Sequence, residues 1–169
     1  MQTLIQCHAR LLDWLDAQAS LIPPLALRVL LAWEFGEAGY AKLTGSNWFG
    51  NLNFPFPFNI LPVDVSWQMA TWFELLGAAA LVLGLATRFF SLSLLILTVV
   101  AIVSVHWPEQ WNSLAELLRG YRITDVEGDG FGNYKLPLIY LLMLLPLIFG
   151  GAGKLSLDHF LRRRWNPTK

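Results

Sequence analysis

Apolar residues in this chain fall into four long runs, at 25–43, 65–86, 89–107 and from 136 to the glycines at 150–153. Each run approaches the roughly 20 residues a helix needs to cross a bilayer core, where every backbone polar group must be bonded within its own segment. Pro23 and Pro24 stop any earlier helix and suit the start of the first run. Only Thr87 and Arg88 separate the second run from the third, which predicts an antiparallel hairpin. The fourth is short, with Pro137 in its first turn and Pro146 placed to kink it.

The segments between the runs are patterned too. In residues 1–22, Leu4, Leu11, Leu12, Trp14, Leu15 and Ile22 recur near helical spacing, while Gln6, His8, Arg10, Asp13 and Asp16 interrupt them. That pattern predicts an amphipathic helix lying in the membrane interface and argues against a cleavable signal. The loop 44–64 carries Trp48, Phe49, Phe54, Phe56 and Phe58 among prolines. So much apolar surface either folds back over the helix ends as a lid or anchors among lipid headgroups as an aromatic belt. In the loop 108–135, residues 108–119 predict a short amphipathic helix with Trp111, Leu114, Leu117 and Leu118 on one face and Gly120 as its stop. The expected fold is therefore all-α, a four-transmembrane-helix antiparallel bundle flanked by these two amphipathic helices. It divides into an interfacial segment (1–22), a membrane domain (23–160) and a basic tail (161–169).

Composition agrees, with 55% hydrophobic and 14% charged residues. Basic and acidic residues balance at 12 each, so no nucleic-acid footprint exists. A lone cysteine, Cys7, removes an internal disulfide and any CxxC chemistry. Orientation follows from the basic residues near the run ends. Arg10, Arg88, Lys154 and Arg162, Arg163 and Arg164 lie on one side. Lys42, Arg119, Arg122 and Lys135 lie on the other, diluted along two long loops. The first group predicts the cytoplasmic face, which puts both termini in the cytoplasm and the loops 44–64 and 108–135 outside.

Ionisable groups at membrane depth are costly and mark candidate sites. Glu34 and Glu37 in the first run, Glu74 in the second and His106 at the end of the third all fall in the outer half, with Tyr40 and Lys42 nearby. Small residues around Glu74 (Ala70, Gly77 and Ala78) suit close helix packing. Three accounts stay open for this set. Glu37, Glu74 and His106 hold a divalent metal; the same groups contact a quinone and exchange its proton; or the glutamates are protonated or paired with Lys42 and only fix helix register. Glu37, Glu74 and His106 are expected to form one site. Arg28 and Asp158, at similar depth on the opposite side, predict a structural ion pair. The acids from Asp125 to Asp129 superficially follow a calcium loop, but the twelfth position is Leu136 in place of glutamate, so a glycine-rich turn is expected.

Several short motifs now align. Leu27-Arg28 precedes Glu37-x-x-Tyr40-x-Lys42-Leu43; Glu74-Leu-Leu-Gly77 precedes Leu83-Gly84-Leu85-x-Thr87-Arg88; His106-Trp107 closes the third run; and 150–158 reads Gly-Gly-Ala-Gly-Lys-Leu-Ser-Leu-Asp. Over residues 24–160 this pattern resembles the DoxX family of four-helix membrane proteins. It is most similar to members with a Trp-Phe-Gly first loop and a His-Trp third helix, some of them associated with maturation of copper-binding modified peptides. The resemblance implies a redox-linked or metal-linked membrane subunit acting with a protein partner at the outer face. The quinone-associated form is the leading expectation, with a non-catalytic scaffold or metal-handling protein as the alternative. Arg28, Lys42, Glu74 and Asp158 match family positions, and the resemblance carries over no catalytic role for any of them.

Overall fold

The computed structural model of the protein describes residues 2–165, with side chains from Gln6 onward. Met1, residues 166–169 of the basic tail and the side chain of Leu4 lie outside the described residues. Seven α-helices follow in order: α1 (Gln2–Ala19), α2 (Ile22–Thr44), α3 (Val63–Leu83), α4 (Thr87–Ala101), α5 (Leu114–Arg119), α6 (Lys135–Gly150) and α7 (Leu157–Trp165). No strand occurs among the described residues.

Four of these helices pack together, α2 against α3, α3 against α4, α4 against α6 and α6 back against α2. Their shared core is Leu31, Ala32, Phe35, Ala78, Leu81, Leu94, Leu144 and Leu147. Two continuous helical stretches, Gln6–Thr44 and Thr87–His106, are long and apolar enough to cross a membrane. Lys135–Gly150 is equally apolar but shorter. Pro146 lies inside α6, which runs on to Gly150.

Each helix boundary has a local cause. α3 ends at Leu83, three residues before the run predicted it, because Gly84 adopts a left-handed conformation with φ 63°. A side chain there would also strike the Arg28 guanidinium and Ser156. At its other end, α4 loosens into a π-helical turn over Ile102–His106, where Trp107 N–H donates to the carbonyl of Ile102, five residues back, at 2.8 Å. α5 is shorter than the predicted 108–119. The Ser113 hydroxyl accepts from Glu116 N–H and the Glu116 carboxylate accepts from Asn112 N–H, a capping arrangement that fixes the start at Leu114.

The first loop folds back onto the bundle, as a lid would. Phe49 is buried against Trp67 of α3 with ring centroids 4.9 Å apart, and Trp48 and Phe54 pack around them. The second loop is organised by Arg122, which binds both carboxylate oxygens of Asp129, one of Asp125 and the carbonyl of Gly132. That clamp holds the acids that mimic half a calcium loop.

The opposite end is tied by residues 151–158. Lys154 N–H donates to Ser20 O at 2.9 Å, and Asp158 N–H donates to Gly84 O at 2.9 Å. The Asp158 carboxylate accepts from the N–H groups of Ala86 and Thr87 at 2.7 and 2.9 Å, capping α4. Buried Arg28 donates to the carbonyls of Leu81, Val82 and Leu155. The expected Arg28–Asp158 ion pair is thus corrected: it is not among the ion pairs of the described residues. Both Asp158 oxygens are taken by the α4 terminus, and the guanidinium donates instead to the Leu81 and Val82 carbonyls in the last turn of α3 and to the Leu155 carbonyl of the tie.

Candidate functional site

Between the helix ends that carry the two long loops lies a cavity of about 800 Å³. Its walls are mostly apolar, from α2, α3, α4, the first turns of α6 and the folded-back first loop. At 100° per residue, Glu34, Ala38 and Lys42 share one face of α2, which is the face turned to this cavity. Glu37 lies at its margin and is solvent-accessible.

Lys42 is held by Glu74. Its Nζ lies 2.9 Å from Oε1 and 2.8 Å from Oε2 of a carboxylate whose side chain is only 4% exposed. Gly39 makes this possible. An added Cβ there would sit 3.0 Å from the Glu74 Cβ and 2.9 Å from the Leu75 Cγ, so only glycine lets α2 and α3 approach at this level. Polar groups in an apolar wall need partners, and the two less exposed acids find different ones. Glu74 has Lys42, and Glu34 accepts a hydrogen bond from the Tyr140 hydroxyl of α6.

His106 reaches the cavity from the π-helical turn. Its Nδ1 lies 2.7 Å from Oδ1 of Asn133, which also lines the space. Ser66 of α3 lines it as well, buried, and among the described residues its hydroxyl has no hydrogen-bond partner.

Glu37, Glu74 and His106 therefore border one cavity without meeting. No group of three His, Cys, Asp or Glu side chains among the described residues is close enough to hold a metal ion. Tyr40 does not take part: it is 63% exposed and absent from the cavity wall. It sits six residues after Glu34, about 240° round the helix, and so points away from the cavity face. The tyrosine that does contribute is Tyr140, which sequence reading passed over inside the apolar fourth run. A single hydroxyl-bearing ring in an otherwise aliphatic helix was the available signal. Asn133 was missed because its role depends on loop closure, and Ser66 because a lone serine near a helix start carries no pattern.

Comparison with known proteins adds the following. The DoxX family model matches residues 24–107, the stretch from the first turn of α2 through Trp107. The chain is similar to a protein of Haemophilus influenzae described as uncharacterized, with 45% identity over 147 residues, 86% of each chain. No solved structure matches.

Proposed function

Because the chain belongs to the DoxX family of membrane proteins, we propose that it is a four-span protein of the bacterial inner membrane that holds a quinone-class carrier for a redox partner. In this reading α2, α3, α4 and α6 each cross the bilayer. α1 lies in the cytoplasmic interface, and the cavity opens in the outer half. The observation that carries the reading is the cavity itself. Its volume of about 800 Å³ falls within the range of small-molecule sites, and it is an apolar space with a few converging polar groups. Ring-shaped, lipid-soluble carriers with two opposed oxygens suit such a wall. Ser66, the Lys42–Glu74 pair and His106 supply the polar contacts, and the unpartnered Ser66 hydroxyl is a group that a ligand oxygen would satisfy. A bound quinone supplies the electron-carrying chemistry; the chain contributes shape, hydrogen bonds and exclusion of water.

The metal reading has less support, because both oxygens of Glu74 face an ammonium group and Nδ1 of His106 faces an amide. A docking role sits alongside the carrier role. Phe56, Ile60, Leu114 and Leu118 are exposed on the same end as the cavity, where a redox partner would approach.

Purified protein in lipid nanodiscs tests the carrier reading. A short-chain benzoquinone should quench the tryptophan fluorescence of Trp48 and Trp67 saturably, and filling the cavity with Ala70→Trp should abolish the saturable phase. Non-saturable quenching, equal in both proteins, would refute it. Reporter fusions at Thr87 and after Lys169 test the topology, since activity of either in the periplasm would reverse the orientation.

A further inference from the structure

The His106 imidazole is oriented by a chain of contacts that begins in the second loop. Asn133 faces it with Oδ1 at 2.7 Å, while its Nδ2 donates to the Ile123 carbonyl at 3.2 Å. Turning the amide over would set Oδ1 against that carbonyl, two acceptors face to face, so the orientation is fixed. The backbone N–H of Asn133 donates to the His106 carbonyl at 3.0 Å, tying the two residues together twice. Arg122 then holds the loop by accepting nothing and donating to Gly132 O, Asp125 and Asp129. An amide oxygen only accepts, so the ring nitrogen facing it must carry the proton. Among the described residues no group hydrogen-bonds Nε2.

We infer that Asn133 is a positioning residue that holds neutral His106 in the Nδ1–H form, so that Nε2 offers the cavity a lone pair and the site favours the hydroxyl-bearing, reduced form of its ring ligand over the carbonyl form. The ligand part rests on the carrier reading above; the tautomer part does not. A hydroquinone hydroxyl donates to such a nitrogen, whereas a quinone carbonyl meets it acceptor to acceptor. Lys42 does not reverse the preference, because the one N–H left after its two bonds to Glu74 donates equally to a carbonyl or a hydroxyl oxygen. Asn133 is 27 residues from His106, so only the folded second loop brings the two together.

The test is nitrogen NMR on the full chain in nanodiscs, labelled at histidine. His8→Gln and His159→Gln form the background, both being exposed residues away from the cavity, so that only His106 reports. In mildly alkaline buffer Nδ1 should give the protonated, pyrrole-type signal and Nε2 the pyridine-type signal. Asn133→Asp keeps an acceptor and should keep that pattern. Asn133→Leu should move it toward the Nε2–H form that free histidine prefers. A protonated Nε2 in the parent protein, or an unchanged pattern in Asn133→Leu, would overturn the inference; should the leucine variant not fold, the parent spectrum still decides.

A decyl-substituted benzohydroquinone, kept reduced under argon, should then shift the Nε2 signal. It should bind about fivefold more tightly than the matching benzoquinone, the worth of one ordinary hydrogen bond. Equal affinities, or tighter quinone binding, would refute the preference. If neither compound binds, the carrier reading and the preference fall together, while the spectrum alone still judges the role of Asn133.

Discussion

Lys42→Met should destabilise the protein more than Glu74→Gln, although both remove the same ion pair. The asymmetry follows from exposure, with the side chain of Glu74 at 4% and that of Lys42 at 16%. Removing the lysine strands a carboxylate in an apolar wall, and losing one partner of a buried pair costs about 3–5 kcal/mol. Lys42 retains a route to water, so the lower end, about 3 kcal/mol, applies to its loss. Glu74→Gln keeps the volume and one acceptor and leaves an ammonium that can hydrate. Its cost should approach that of one charge-assisted hydrogen bond, about 2 kcal/mol. The double variant Lys42→Met with Glu74→Met replaces the pair by apolar groups of similar size and should lose less than Lys42→Met alone. Reversible unfolding in mixed micelles, following tryptophan fluorescence, reads all three. A larger loss in Glu74→Gln than in Lys42→Met, or a double variant that loses as much as Lys42→Met alone, would refute the buried-pair argument.

Other consequences follow from the geometry. Gly84→Ala should cost at least about 1–2 kcal/mol in backbone strain, from a residue held at φ 63°, before displacement of Arg28 is counted; a marked fall in the yield of protease-resistant protein would show it. Tyr140→Phe should weaken binding of a short-chain quinol several-fold by freeing Glu34, whereas Tyr40→Phe should leave binding unchanged; equal effects would contradict the placement of the two rings. In the second loop, hydrogen bonds from Arg122 hold the Asp129 carboxyl down at about 2, against an ordinary value of 3.8. Because the folded value is the lower one, the clamp's contribution is fully present above about pH 4 and is lost as pH falls toward 2. Protease cleavage within 122–133 should rise across that window, and Asp129→Asn should raise cleavage at neutral pH and flatten the dependence.

Helices were legible because hydrophobic runs and their punctuation are local. Pro23 and Pro24, the Thr87-Arg88 turn and the glycines after Gly150 all mark ends within two or three residues of those observed. Where the reading failed, a distant contact set the outcome. Gly84 ends α3 early because Arg28 and Ser156, 56 and 72 residues away, occupy the space beside it. Arg28 and Asp158 were rightly grouped at one end of the molecule, yet the partner of each is backbone, which no side-chain pattern discloses. On α2, helical spacing separates Glu34 and Lys42 from Tyr40, and applying it would have removed Tyr40 from the candidate set. Asn133 and Tyr140 enter the cavity only once the second loop and α6 have docked.

The tie at residues 151–158 bears on how the chain assembles. Ribosomes release α2, α3 and α4 long before Leu155 and Asp158, so during synthesis the Arg28 side chain waits without one of its carbonyl acceptors and the α4 terminus waits without its cap. Early intermediates in the membrane thus hold a charged group that only a later-made segment completes. Completion of the bundle is in this sense gated by the segment that follows α6. A chain stopped before Leu155 would present membrane proteases with an unfinished bundle, while one stopped after Asp158 would carry every contact of the tie.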